Sequence, residues 1–136
     1  MGYDTRVTGA ILISPPIPYA VLAGSRFLGW PYRRFVDKDC VLRVVEQVPE
    51  GGDGSLVRRV ADAIVPAVQG PYSAHRLVDD VQDVLRIYGA ERTFTGRLTC
   101  LGEEAGDIWR LEIHEGQAVR VEPRLVWPDG TEGLTP

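Results

Sequence analysis

The sequence predicts a single α+β domain, a mostly antiparallel sheet of about six strands in the chain order β-α-β-β-α-β-β-β, with one long helix packed on its apolar face. Three observations predict this class. Residues 73–88 carry one apolar stripe at helical spacing, residues 4–14 alternate in polarity, and the last third of the chain alternates in three successive segments. The 136 residues suit one domain, which we place at 1–128, with a flexible C-terminal tail at 129–136.

The first strand, residues 4–14, places small and β-branched residues on one side: Val7, Gly9, Ile11 and Ile13. We expect it to end at a group of prolines, because proline has no amide hydrogen for a ladder: Pro15, Pro16 and Pro18. Pro18 can begin a short helix over residues 18–25. The aromatic stretch from Phe27 to Phe35 is expected to form a loop that lays its rings over one end of the core.

Residues Cys40–Val48 and Leu56–Val65 are predicted as the second and third strands, joined by a turn at Pro49–Gly54. A helix over Ser55–Ala63 remains an alternative, because its residues tolerate helical structure. The glycines of the turn superficially resemble a phosphate-binding loop. A strand-like segment follows them instead of a helix, so we do not expect nucleotide binding there.

The predicted helix, residues 73–88, has a continuous apolar stripe: Ala74, Leu77, Val78, Val81, Val84, Leu85 and Tyr88. Ser73 is expected to cap its N-terminus, and Gly89 to take the left-handed position after its last turn. Three acidic residues lie off the stripe and are predicted to face solvent: Asp79, Asp80 and Asp83.

The C-terminal third predicts a three-stranded meander in which each strand has one apolar and one polar face. For the last two strands, opposite charges favour a register that pairs Glu112 with Arg120 and Arg110 with Glu122. Turn chemistry favours the register that places Arg110 opposite Arg120, because a three-residue hairpin loop prefers glycine last, at Gly116. We predict the charge-matched register.

Charge and cysteine content exclude several classes of function. The chain has 15 basic and 19 acidic residues, a net charge of -4, which disfavours general nucleic-acid binding. No apolar run reaches membrane-spanning length and no secretory signal opens the chain, so we expect a cytoplasmic protein without membrane contact. Cys40 and Cys100 are predicted to be reduced, packed thiols. With two histidines and no paired cysteines, we expect no zinc site and no cofactor.

Aromatic and arginine residues in loops form the first candidate site, a binding surface: Trp30, Tyr32, Arg33, Arg34, Arg124 and Trp127. Such rings can stack on a ligand or on side chains of a partner, and arginine supplies charge beside them. The alternative is that the rings only cover the end of the core.

An acidic loop, Gly102–Asp107, forms the second candidate site. Carboxylate oxygens of Glu103, Glu104 and Asp107, with His114 beyond them, could bind a divalent ion or form an acid–base pair. The alternative is a solvated hairpin turn.

Short segments at both ends of the chain and in its last third carry a resemblance: Met1-Gly2-Tyr3, Thr5-Arg6-Val7, Gly9, Pro15-Pro16-Ile17, Phe94-Thr95-Gly96, Gly102-Glu103, Gly106-Asp107, Trp109-Arg110 and Trp127-Pro128-Asp129-Gly130. In these segments the chain resembles a family of small uncharacterised proteins from actinobacteria and their phages. This implies an intracellular protein of a GC-rich bacterium or its phage, in agreement with the single lysine, Lys38, among the basic residues. The resemblance assigns no catalytic or binding residue to this chain.

Two hypotheses follow from these residues. The first is a non-enzymatic binding protein for a protein partner or small ligand, with a phage–host or defence setting implied only by the resemblance. It predicts an exposed aromatic patch around Trp30 and Tyr32. The second is a small metal-dependent hydrolase, which requires that Glu103, Glu104, Asp107 and His114 converge in a cleft. An exposed edge strand would allow a homodimer, although no residue selects one.

Overall fold

The computed structural model describes residues 2–48 and 56–133. These residues form nine elements: β1 (Thr5–Pro18), α1 (Tyr19–Leu22), β2 (Cys40–Gln47), β3 (Arg58–Pro66), β4 (Pro71–Tyr72), α2 (Leu77–Tyr88), β5 (Thr93–Gly102), β6 (Ile108–His114) and β7 (Gln117–Val121). The α+β class and the antiparallel sheet are confirmed. The prediction of about six strands missed the two-residue β4, which makes seven in the described part of the chain, and the predicted long helix is shorter, with both helices short.

The strands form one sheet in the order β2-β3-β1-β5-β6-β7, in which β4 pairs with β1 beyond the end of β3. The expected end of β1 before Pro15 is wrong. Its ladder with β5 stops at Ser14, and its pairing with β3 shifts register between Leu12 and Ile17. The prolines therefore lie where fewer ladder hydrogen bonds are required, which is where a strand accepts proline.

Helix α1 is a single turn, shorter than the predicted 18–25. The helical conformation ends at Ala23, which has an extended ψ of 124°, and Gly24 follows with a left-handed φ of +81°. The third strand forms as predicted, and the helical alternative is wrong over its described residues. Segment 58–66 pairs with β1 on one side and β2 on the other, which no helix could do. Ser55 and the predicted turn at Pro49–Gly54 lie outside the described residues.

The N-terminus of α2 is capped from a distant segment. The predicted cap, Ser73, is wrong, because the helix begins at Leu77. The backbone N–H of Arg76 donates to Asp39 Oδ2 at 2.8 Å, and the backbone N–H of Asp39 donates to Asp80 Oδ2 at 2.8 Å. Asp80 is 5% exposed, so its predicted position in solvent is also wrong. The carboxylate of Asp39 thus accepts from the backbone N–H of Arg76, and the carboxylate of Asp80 accepts from that of Asp39. This reciprocal arrangement resembles a capping box.

The C-terminus of α2 also differs from its prediction. Gly89 has a φ of -75°, a right-handed conformation, whereas Glu91 has the left-handed φ of 63°. A Cβ atom at Gly89 would collide with the carbonyl oxygen of Leu85. Glycine is therefore required here for space and not for its φ angle.

The core lies between α2 and one face of the sheet, which we call the inner face. The buried apolar residues of the helix are Leu77, Val81, Val84, Leu85 and Tyr88. All of these except Leu85 share one cluster with strand residues that include Val7, Ile11, Ile13, Leu98, Cys100 and Leu111. Cys40 and Cys100 are free, buried thiols, and burial raises the pKa of Cys100 to about 12. Among residues 2–48 and 56–133, neither helix is long and apolar enough to cross a membrane.

The last hairpin has a register that neither sequence argument favoured. Glu115 and Gly116 have φ angles of 52° and 76°, typical of a two-residue type I′ turn. His114 then pairs with Gln117, and Leu111 pairs with Arg120. The predicted pairing of Glu112 with Arg120 is wrong, and so is the alternative that placed Arg110 opposite Arg120.

This register inverts the faces of β7. Residues directly opposite each other share a face, so Arg120 joins buried Leu111 on the inner side. Val119 and Val121 lie on the outer face, opposite Glu112 and Arg110. The expectation of one apolar inner face on every meander strand therefore fails for β7. The twist of a type I′ turn matches the twist of the two strands that it joins, and this turn sets the register. The same register places the side chain of Arg120 on the inner side.

Candidate functional site

Residues 26–38, which we call the aromatic–arginine loop, connect α1 to β2. The side chains of Trp30 and Phe35 are 79% and 78% exposed. Phe27 is buried in the core, and Tyr32 is half-buried against it. The expectation that this loop covers the core with its rings is therefore wrong for Trp30 and Phe35, which point into solvent.

The backbone of the aromatic–arginine loop is held in place by hydrogen bonds. The amides of Tyr32 and Arg33 donate to the carbonyl oxygen of Gly29 at 2.9 and 3.0 Å. Arg33 Nε donates to the carbonyl oxygen of Phe35 at 2.9 Å. At the start of the loop, Leu28 forms a bridge with Leu42 of β2. The exposed rings therefore stand on a fixed backbone.

Tyr32 supports this surface from below. Its ring centre lies 5.3 Å from that of Tyr19, in a tilted arrangement. The guanidinium of Arg59 lies 5.8 Å from the Tyr32 ring centre. Both distances suit favourable aromatic and cation–π contacts. Tyr32 is therefore a packing residue of the loop, and its contribution to an exposed patch is smaller than that of Trp30.

The aromatic–arginine loop carries four basic side chains and one acidic side chain. Arg26 lies 3.8 Å from Asp37, and Lys38 lies 4.0 Å from Asp80. Within the described residues, Arg33 and Arg34 form no ion pair. The Arg34 guanidinium lies 5.9 Å from the Phe35 ring centre. The loop thus presents net positive charge on a chain of net charge -4.

The C-terminal end of the loop is fixed to α2 through Asp39, which is buried. Besides its contacts with Arg76 and Asp80, its carbonyl oxygen accepts from Tyr72 Oη at 2.5 Å. Arg76 Nη2 donates to the carbonyl oxygen of Asp37 at 2.8 Å. Desolvation raises the pKa of Asp39 despite its hydrogen bond from Arg76. The loop therefore ends in a polar cluster that belongs to the core.

The structure separates the other two predicted binding residues from the loop. Arg124 and Trp127 follow β7, whereas the loop adjoins β2, and these strands are the two edges of the sheet. Trp127 is half-exposed, and its Nε1 donates to the carbonyl oxygen of Gly133 at 2.7 Å. Arg124 lies 3.3 Å from Glu132. The start of the predicted tail, 129–133, therefore makes hydrogen bonds, and 134–136 lie outside the described residues.

The acidic loop holds the N-terminal segment. Glu103 Oε1 accepts the backbone N–H of Asp4 at 2.9 Å. Tyr3 Oη donates to Asp107 Oδ2 at 2.5 Å and accepts the backbone N–H of Glu104 at 3.0 Å. The hydrogen bond to Asp107 raises the pKa of Tyr3. Two of the three carboxylates therefore bind the chain itself.

The structure does not bring the four candidate metal ligands together. Asp107 lies just before β6, whereas His114 is the last residue of that strand, about 20 Å away at the rise of an extended chain. His114 Nε2 lies 2.8 Å from Glu112 Oε1. Within the described ranges, no group of three or more His, Cys, Asp or Glu side chains is arranged to hold a metal ion.

A second constellation, absent from the sequence predictions, forms around Trp109. The ring is buried, 6% exposed, and the guanidinium of Arg120 lies 4.4 Å from its centre. Arg120 Nε donates to Glu122 Oε1 at 2.6 Å, and Arg120 Nη2 lies 3.8 Å from Asp107 Oδ1. The sequence contained one signal for this cluster, the pair Glu115-Gly116. A two-residue turn at this pair sets the register in which Arg120 lies on the same side of the sheet as Trp109.

These side chains line an open cleft of about 370 Å³ between the N-terminal segment and the start of α2. Its floor is buried and consists of Thr5, Ala74 and Trp109; its rim consists of Gly2, Tyr3, Ser73, His75, Asp107 and Arg120. Ser73 Oγ and His75 Nδ1 are 2.8 Å apart. Four separate segments of the chain thus contribute polar groups to one cavity.

The model of a family of unknown function, DUF6205, matches residues 1–136. No curated protein matches the chain, and no solved structure matches it. The expected resemblance to a family without an assigned function is confirmed over the whole chain, and its actinobacterial or phage origin stays a prediction.

Proposed function

Since the chain belongs to DUF6205, a family of unknown function, we propose its function from its own surface: it is a non-enzymatic binding protein that recognises an acidic segment of a partner protein. The aromatic–arginine loop is the binding surface. One observation carries this proposal, the exposure of Trp30 and Phe35, at 79% and 78%, on a loop whose backbone is fixed. The setting we propose is cytoplasmic, in phage–host or defence interactions.

The exposed rings supply binding energy that folding leaves unused. An aromatic side chain buries roughly 150–250 Å² when covered, at about 25 cal/mol per Å². Trp30 and Phe35 would each bury most of that area only in a complex. Tryptophan and arginine are also the residue types that dominate measured interface energies.

The charges of the loop select the partner. Arg33 and Arg34 lie between the two exposed rings in sequence, and no carboxylate of the described residues forms an ion pair with either. A carboxylate-bearing peptide would neutralise them and would be steered toward the loop and away from the acidic remainder of the chain. We therefore commit to an acidic partner segment with an apolar anchor.

The fixed backbone makes this surface suited to binding. The Gly29 carbonyl oxygen holds Tyr32 and Arg33, and Asp39 ties the end of the loop to α2. A preorganised loop loses less conformational entropy when it meets its partner. The loop is therefore built like a binding element rather than like a linker.

A peptide-display selection tests the proposal and does not require an identified partner. The immobilised protein selects peptides from a random library, and a Trp30→Ala/Phe35→Ala variant removes those that bind elsewhere. We expect the enriched peptides to be rich in Asp and Glu around an apolar anchor. Affinity of the best synthetic peptide should fall at least tenfold with Trp30→Ala, on the order expected for an interface hot spot.

The matched control is Trp127→Ala, which removes another exposed tryptophan at the opposite edge of the sheet. It should leave peptide affinity unchanged. Arg33→Gln/Arg34→Gln should weaken binding and reduce its dependence on salt. The proposal is contradicted if no peptide is enriched, if the enriched peptides lack acidic residues, or if they bind the Trp30→Ala variant as tightly as the parent protein.

A further inference from the structure

The cleft around Trp109 is separate from the aromatic–arginine loop and has a different chemistry. We infer that it binds the oxyanion group, phosphate or carboxylate, of a small molecule between Arg120 and His75. The cavity of about 370 Å³ lies within the range of small-molecule sites. Its buried floor of Thr5, Ala74 and Trp109 offers an apolar wall for the remainder of such a ligand.

Arg120 retains an unused hydrogen-bond donor in the cleft. Arg120 engages Glu122 through Nε and approaches Asp107 through Nη2, while its Nη1 has no partner within the described residues. His75 Nδ1 lies 2.8 Å from Ser73 Oγ, and its Nε2 makes no hydrogen bond with the described residues. A ligand that pairs with Arg120 Nη1 must supply acceptor oxygens, as phosphate and carboxylate do, and His75 Nε2 donates to such oxygens in the tautomer whose Nδ1 accepts from Ser73.

The carboxylate of the cleft, Asp107, is already engaged by groups of the chain. Asp107 Oδ2 accepts from Tyr3, and Asp107 Oδ1 faces Arg120. The Tyr3 hydroxyl donates to Asp107 and accepts from the amide of Glu104. A cationic ligand would therefore find its carboxylate already paired, and one face of the Trp109 ring already covered by Arg120.

The register of β7 makes this site. Because β6 and β7 join through a two-residue turn, Arg120 lies on the same side as Leu111 and reaches the ring of Trp109. In the charge-matched register its neighbours would be those of the outer face, away from His75. Arg120 at this position brings a guanidinium into the cleft, with Nη1 left to bind an oxyanion.

Trp109 provides a direct reporter. In a Trp30→Phe/Trp127→Phe background it is the remaining tryptophan, so its fluorescence reports on the cleft alone. Three probes are titrated against sodium chloride of equal ionic strength: inorganic phosphate, phenyl phosphate and benzoate. We expect a saturable change with phenyl phosphate or benzoate. A response to both phosphate probes identifies phosphate as the recognised group, and a response to benzoate alone identifies carboxylate.

Arg120→Gln should weaken binding of the responding probe at least about tenfold, because it removes a charge-assisted hydrogen bond. Arg124→Gln is the matched control, an arginine near β7 that lies outside the cleft, and should leave binding unchanged. His75→Asn is a second variant at an exposed position and should also weaken binding, even if Arg120→Gln unfolds the hairpin. The inference is overturned if no probe gives a saturable change, or if His75→Asn binds like the parent protein.

Discussion

In the aromatic–arginine loop, the guanidinium of Arg34 lies 5.9 Å from the Phe35 ring centre, and the ring is exposed. In the cleft, the guanidinium of Arg120 lies 4.4 Å from the Trp109 ring centre, and that ring is buried. The same kind of pair, an arginine beside an aromatic ring, thus occurs once on the surface and once against the core. Trp109 packs into the core and Arg120 contacts two carboxylates, so this pair contributes to stability. The pair in the loop has neither support, so it is available to a partner.

The largest predicted effect separates the two tryptophans. Trp109→Ala should lower the free energy of unfolding by about 3–5 kcal/mol, because it leaves a cavity in the core and removes the surface on which Arg120 lies. Chemical denaturation measures this change. Trp30→Ala, the matched control, should change the free energy of unfolding by less than about 0.5 kcal/mol, as for an exposed side chain. Equal losses in the two variants would contradict the comparison.

The anchor of the loop gives the next largest effect. Asp39→Ala should lower the free energy of unfolding by about 1–3 kcal/mol, because the amide of Arg76 loses its buried acceptor. Asp39→Asn keeps an acceptor oxygen and should lose less. Denaturant unfolding of the two variants separates the effect of the hydrogen bond from that of the charge. Equal losses of unfolding free energy would show that the hydrogen bond accepted by Asp39 does not stabilise the fold.

The pH dependence of these variants has a definite sign. Burial raises the pKa of Asp39, so the folded chain binds this proton more tightly than the unfolded chain does. The contribution of Asp39 to the free energy of unfolding therefore falls as pH rises above its ordinary pKa of about 4. Relative to the parent protein, Asp39→Asn should gain stability between pH 4 and pH 7. A relative loss over that interval would mean that the carboxylate is stabilised by the cluster.

The turn that places Arg120 gives a smaller effect. Gly116→Ala should lower the free energy of unfolding by about 1–2 kcal/mol, because Gly116 has a φ of 76° and alanine is strained there. Glu115→Asn should be neutral or stabilising, since asparagine tolerates the left-handed conformation of a type I′ turn. Thermal or denaturant unfolding checks both, and a neutral Gly116→Ala would contradict this turn type.

Elements with a strong local pattern were predictable from the sequence. The apolar stripe of α2 and the alternation in β1, β5 and β6 predicted the type of these elements, because local periodicity decides which face is buried. The ends of elements were less predictable. The cap of α2 comes from Asp39, far from Arg76 along the chain, and burial of Asp80 follows from the same contact. No local pattern contains that information.

The candidate sites divide in the same way. Exposure of Trp30 agrees with the binding hypothesis. The cleft depends on the register of β7, which the argument from side-chain charges predicted wrongly. Cross-strand charge pairs contribute roughly 0.2–1 kcal/mol, too little to override a favourable two-residue turn. The convergence of Tyr3, His75 and Arg120 depends on pairings between distant segments and was therefore absent from the sequence prediction.

The central claim is that the exposed side chain of Trp30 serves binding of a partner protein and contributes little to stability. Isothermal titration of the best selected acidic peptide into the parent protein, Trp30→Ala and Trp127→Ala, with unfolding measured on the same samples, tests it most directly. We predict at least a tenfold loss of affinity for Trp30→Ala alone, with its free energy of unfolding unchanged within about 0.5 kcal/mol. Equal peptide affinity in the parent and Trp30→Ala proteins would contradict the account.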